Sequence, residues 1–191
     1  MNKITISNNR TQIINLLKSV PRSGMPEFLN WLQATDFFEA PASSIYHLNT
    51  PGGLAYHSIS VYKTLRSLSK TFNIPIPADT LIITALLHDV CKIDTYKIKE
   101  GDGVALSPKA TDVEYRREGS MPLGHGEKSV ILILSNGLDL NNQEIGMIRW
   151  HMAMYDPSYQ KGANYIKKHY PLAKLLYFAD DISTTYLEEI Q

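Results

Sequence analysis

Residues 81–96 read LIITALLHDVCKIDTY, an almost uninterrupted apolar run that closes on an adjacent imidazole and carboxylate, His88 and Asp89. Asp79, just ahead of the run, suits the N-cap of a helix carrying Leu81 to Leu87, because a short acidic side chain accepts from the free amides of a first helical turn. Read this way, the helix buries its apolar residues and delivers His88 and Asp89 to the core at its end. An unpaired charge costs several kcal/mol on burial, so the doublet demands a partner.

Around this segment, prolines divide the chain into helix-sized pieces, since each removes a backbone donor and biases its predecessor away from helix. TQIINLLKSV repeats Ile13, Leu16, Leu17 and Val20, and PEFLNWLQATDFF opens on a proline placed for a first turn. From Gly53 to Phe72, Leu54, Val61, Leu65 and Leu68 recur at helical spacing. LNNQEIGMIRWHM carries a capping box, Asn141 with Glu144, and sets Ile145, Ile148 and Met152 on one face. After Pro171, Leu172, Leu175, Leu176, Ala179 and Ser183 form one stripe. Only TYKIKEGDGVALS alternates and turns on glycines, which predicts a small β-hairpin excursion near residues 95–117 in an otherwise all-α bundle.

Composition narrows the function classes. At 191 residues the chain is one domain's worth, enough to bury roughly 70% of the surface its unfolded form exposes. Nineteen basic and nineteen acidic residues cancel without a block of either sign, which argues against a long nucleic-acid groove or a membrane-attracted face. Cys91 is the only cysteine, so no intramolecular disulfide forms, in keeping with a reducing compartment. With no apolar leader in MNKITISNNR and no run long enough to span a bilayer, a soluble, cytoplasmic protein is expected.

Four histidines stand at telling places. His57 shares the inward face of its helix with Leu54 and Val61; His88 ends the apolar helix; His125 opens the helix of GHGEKSVILIL; His151 follows Ile148 by three. Asp180, four residues after Leu176, lies at the margin of the last apolar stripe, while Asp181 points further out. A lone histidine on an apolar face is more often a core residue satisfied by one hydrogen bond. Two inward carboxylates among several inward imidazoles require more, and a divalent cation supplies it.

The ordered set His57, His88-Asp89, Asp180 resembles the HD superfamily of metal-dependent phosphohydrolases, named for that doublet. The likeness runs over roughly residues 35–185. GGLAYHSISVY is similar to the entry helix of many members and HDVCK is a variant of His-Asp-Ile-Gly-Lys, while PLGHGEKS, IRWHM and FADD resemble the later motifs of a bacterial and phage subgroup. The resemblance implies His57, His88, Asp89 and Asp180 as ligands of a first metal. In members with two metals it implies His125 and His151 as additional ligands, with Asp89 bridging. The ion would be manganese, iron, magnesium, zinc, cobalt or nickel, and the domain would be single over 1–191, with N-terminal helices at 8–40 and a metal-binding core at about 45–187. Cys91 replaces a frequent glycine, and Ala153 stands in HMAMYD where glycine is expected.

A bound divalent ion activates water near neutral pH and neutralises phosphoryl charge; phosphoester hydrolysis fits both features and is what the resemblance implies, with Asp89, His125 and Lys92 expected at the reacting centre. The resemblance points to a small-molecule phosphoester, a nucleotide above all. Two readings of Lys92 stand: if the helix continues it lies beside the metal and receives a phosphate oxygen, its loss sparing metal content and fold; otherwise it is solvated at a helix C-terminus. His47, on the loop before the entry helix, either lines the substrate pocket or packs elsewhere. Glu127 reads as an exposed first-turn residue, Lys97, Lys99, Arg116 and Arg117 as an anion-attracting rim or solvated charges, and His169 as surface. From other classes, the alternatives are a non-catalytic nucleotide-binding or regulatory module with a structural metal, and a nuclease, against which the neutral charge counts.

Overall fold

The apolar run folds as a helix in the computed structural model, which describes residues 3–98, 115–117 and 123–188. Eight helices are described: α1 (Lys3–Lys18), α2 (Met25–Ala34), α3 (Gly53–Thr71), α4 (Ala78–Leu87), α5 (His125–Ser135), α6 (Asn142–Arg149), α7 (Pro157–His169) and α8 (Pro171–Ile182). Pro26, Pro157 and Pro171 each fall in a first helical turn, where the missing amide would have gone unbonded in any case. Strands β1 (Tyr96–Ile98) and β2 (Tyr115–Arg117) pair antiparallel, Tyr96 opposite Arg117, at the two ends of the expected excursion. The residues between them, Lys99 among them, lie outside the described residues, as do the side chains of Arg116 and Arg117.

α4 is buried from Thr80 through Leu87, because other helices close over it on all sides: α3 on one, α1 and α6 on others. One apolar cluster gathers α1, α2 and the near sides of α3 and α4 around Phe28, Phe37, Phe38 and Leu86, and a second joins Val61 and Leu65 of α3 to Leu175, Leu176 and Ala179 of α8. α3 and α4 belong to both clusters. The ends of these two helices are therefore held on either side by packed side chains, which makes them a rigid support for His57 and His88.

Two local devices seat α6 against that support. The capping box is present as expected, with the Asn141 side chain accepting from the Glu144 amide and Glu144 accepting from the Asn141 amide. Glu144 is also fully buried and bonds the Arg22 guanidinium at 2.7 Å and the Thr80 hydroxyl at 3.0 Å, so one carboxylate ties the turn after α1, the start of α4 and the start of α6. Asp79 is not the N-cap of α4; Pro77 holds that position, and Asp79 instead pairs with Arg22 at 2.7 Å. At the other end of α6, Gly126 of α5 lies so close that a Cβ there would stand 2.2 Å from the Arg149 carbonyl oxygen. That contact brings the beginning of α5, with His125, against the end of α6, just before His151.

Candidate metal centre

Both sides of the doublet differ in winding from the simplest expectation. α4 stops at Leu87, His88 keeps helical dihedrals as its C-cap, and Val90–Lys92 make one 3-10 turn. This turn sets Lys92 three residues after Asp89 on the same side, with Nζ 2.6 Å from Asp89 Oδ2. Lys92 is only 8% exposed, so the solvated reading does not hold: the ammonium is buried and ion-paired. α6 likewise ends at Arg149, and His151 sits in the following turn, fully buried.

Three imidazoles then converge. His57 Nδ1 lies 3.0 Å from both Glu188 oxygens, His88 Nδ1 is 3.0 Å from the Ala85 carbonyl, and His151 Nδ1 is 2.7 Å from the Ile148 carbonyl. Each oxygen accepts, so each Nδ1 carries its proton outward and, where the ring is neutral, its Nε2 lone pair turns inward. Inside, His57 Nε2 and His88 Nε2 are 3.2 Å apart, His57 Nε2 is 3.2 Å from Asp180 Oδ1, and both lie 3.6 Å from Asp89 Oδ2. His151 Nε2 faces Asp89 Oδ1 at 3.7 Å and has no hydrogen-bond partner although it is buried. Acceptors facing acceptors in a closed core need a cation or a proton between them. The donor set of imidazole and carboxylate suits a divalent transition ion, and the groupings His57–His88–Asp89, His88–His151–Asp180 and Asp89–Cys91–His125 each bring three donor atoms close enough to share one.

The titration behaviour of the metal-free centre follows from the same contacts. His88 is pushed down to about 4 chiefly by burial, which leaves it neutral and ready to ligate. Burial also opposes charge on His57, but Glu188 and Asp180 outweigh it and raise its pKa to about 10. Without an ion the centre therefore takes up a proton in its place. Burial opposes charge on Asp89 and Asp180 too, yet Lys92 and the imidazoles hold Asp89 well below the usual carboxylate range, and His57 does the same for Asp180. Cys91 has its thiol pushed up to about 12 by burial and the Asp89 charge, a poor ligand in that state, and its amide donates to Ser129 Oγ at 3.2 Å.

The other residues singled out from sequence divide cleanly. His125 opens α5 with Nδ1 3.9 Å from Asp89 Oδ1, at the edge of the centre and partly exposed. His47 lies against His57, their ring centroids 5.4 Å apart, and burial together with the His57 charge lowers its pKa to about 4. Asp180 is inward as expected; Asp181 also borders the cavity but joins none of the donor groupings among the described residues. Glu127 is not a solvated first-turn residue, since it pairs with Arg149, which also binds Asp156 and stacks on Trp150. Lys97 and His169 are exposed, His169 against the Tyr165 ring. Glu188 was missed. It is buried beneath His57 and close to His47, and no spacing in the sequence distinguishes it from its neighbour Glu189.

The centre opens into a cavity of about 690 Å³ whose wall includes His47, Lys92, His125, Tyr46, Tyr96, Tyr155 and Tyr177. Residues 54–185 match the HD domain family, a stretch that contains all six residues named as ligands, and the chain belongs to that family. It is also 34% identical over 98 residues to a dihydroneopterin 2',3'-cyclic phosphate phosphodiesterase of Methanocaldococcus jannaschii. That match takes in 49% of this chain and 38% of the relative, so the chain spans well under half of the relative's length. No solved structure matches it.

Proposed function

We propose that the protein is a metal-dependent phosphoester hydrolase acting on a small substrate with a flat ring, a nucleotide foremost. The carrying observation is the convergence of three outward-protonated imidazoles and two carboxylates on one buried point. His57, His88, Asp89 and Asp180 would hold a first divalent ion, and His125 and His151 with Asp89 a second. Bound there, such ions supply water activation and neutralisation of phosphoryl charge.

The remaining roles fall to the chain's own groups. Lys92 Nζ, already at the cavity wall, holds a nonbridging phosphate oxygen and offsets charge that builds in the transition state. Burial opposes its charge, but Asp89 keeps it an ammonium throughout. Where only the first ion is held, His125, the most exposed of the inner histidines, can instead give a proton to a leaving oxygen. His47, neutral at pH 7, positions a substrate oxygen by hydrogen bonding. Tyr46 and Tyr155, exposed at the cavity wall, offer ring faces on which a base stacks.

The relative is named for a 2',3'-cyclic phosphate, and that bond class belongs in the test beside linear nucleotides. Metal-reconstituted protein is screened against nucleoside monophosphates, deoxynucleotides, cyclic nucleotides and generic phosphoesters, with elemental analysis of each preparation. Turnover that requires metal and disappears in Asp89→Ala is the expected result. Protein that holds metal and binds nucleotides but turns over none of the panel is a binding module, and the proposal fails.

A further inference from the structure

Glu188 lies outside the stretch matched to the HD domain family, yet both of its oxygens lie 3.0 Å from His57 Nδ1. How it arrives there is a matter of winding. On an uninterrupted α-helix at about 100° per residue, the eighth residue past Asp180 points roughly 80° away from it. After α8, however, Ser183–Leu187 form a π turn with wider winding, and the Glu188 amide donates to the Ser183 carbonyl at 3.0 Å. The wider turn carries Glu188 back to the side that bears Asp180. Ser183, itself fully buried, fastens the turn by donating to Thr64 Oγ1 of α3 at 3.0 Å.

A carboxylate with a fully buried side chain is costly unless charge and hydrogen bonds answer it. Here the answer comes from His57 Nδ1, with His47 Nε2 farther off at 3.9 Å. We infer that Glu188 is a positioning residue for the metal centre: it accepts the Nδ1 proton of His57, fixes that ring with Nε2 turned to the ion, and makes metal binding and docking of residues 183–188 one linked event. The inference rests on the proposed reading of His57 as a ligand. Carboxylates that orient a ligating histidine raise its basicity, and their loss costs typically about 10- to 100-fold in metal affinity. Linkage is reciprocal, so the ion protects the turn as much as the turn supports the ion.

Zinc serves as the probe because it is diamagnetic. Its dissociation constant is measured by chelator competition on the full chain for wild type, Glu188→Gln, Glu188→Asp and His57→Ala, together with ¹⁵N imidazole spectra and amide exchange. Glu188→Gln should weaken zinc by about 10- to 100-fold, expose the His57 Nδ1 proton to rapid exchange in the zinc-loaded form, and abolish zinc-induced protection of the Glu188-position amide. Glu188→Asp should recover part of the affinity; it also carries the comparison if the Gln variant folds poorly. Zinc bound within about twofold of wild type by Glu188→Gln, or no recovery with Asp, overturns the positioning role while leaving His57 a ligand. Zinc bound normally by His57→Ala overturns the ligand reading and the inference together.

Discussion

Replacing Asp89 by Asn tests whether the buried Asp89–Lys92 pair holds the metal-free fold. The pair is 2.6 Å long, with Lys92 8% and Asp89 3% exposed. Asn keeps the shape of Asp89 but strands an ammonium in the core, and breaking one side of such a pair costs about 3–5 kcal/mol. With an m value of about 2 kcal/mol/M in urea, that is a shift of the midpoint by roughly 2 M. Lys92→Met should cost less, because the carboxylate it leaves behind still has His57 and His151 to protonate beside it. The double variant removes both charges and should return most of the stability lost in Asp89→Asn alone, a coupling of at least about 2 kcal/mol in a double-mutant cycle. Urea unfolding in excess chelator measures all four corners. Zinc titration of the same four proteins separates ligation from folding: the double variant should be stable and still unable to hold the ion. Single losses below about 1 kcal/mol that merely add would refute the argument, and with it the claim that Lys92 is more than a substrate contact.

Four further outcomes are expected. His151→Ala should reduce zinc uptake from two equivalents to one, and Asp180→Ala should strip far more metal than Asp181→Ala, both read by elemental analysis; equal loss at Asp180 and Asp181 would contradict the donor geometry. Metal-free stability should peak near pH 6.5: the His57 contribution, from a pKa raised to about 10, is complete below 6.5 and is lost as pH rises towards 10, whereas His88 and His47, lowered to about 4, make stability fall as pH drops from 6.5 towards 4. The slope is at most about 1.4 kcal/mol per pH unit for each proton, and a flat profile of melting midpoints would exclude these shifts. Ala153→Gly should stabilise by about 0.5–1 kcal/mol, since Ala153 sits at φ 40°, in the left-handed region that penalises a Cβ; an unchanged midpoint would mean the strain is absent.

Much of this was legible in the sequence because it rests on periodicity. The helices Gly53–Thr71 and Pro171–Ile182, the capping box and the inward direction of His57 and Asp180 all follow from residue type and spacing at 3.6 residues per turn. What was not legible depends on departures from that winding. The 3-10 turn after Asp89 buries Lys92, the helix end at Arg149 places His151 in a turn, and the π turn after Ile182 brings in Glu188. Asp79 read as a cap because capping chemistry is local, whereas the Arg22 that recruits it comes from 57 residues away. Ala153 was visible only as an absent glycine; the dihedral supplies the reason glycine would be favoured.

The strand pair has a consequence for engineering. The chain leaves the centre after Lys92 into β1, and after β2 it returns through Leu123 to His125, so the Tyr96–Arg117 pairing acts as a clasp across the neck of an insertion. None of the donor groupings among the described residues draws on β1 or β2. Doubling the length of a flexible loop adds only about 0.6 kcal/mol of closure entropy. Extra sequence placed between the clasped strands should therefore cost the bundle little closure entropy, which makes this neck a place at which a grafted segment can be selected for a new ligand.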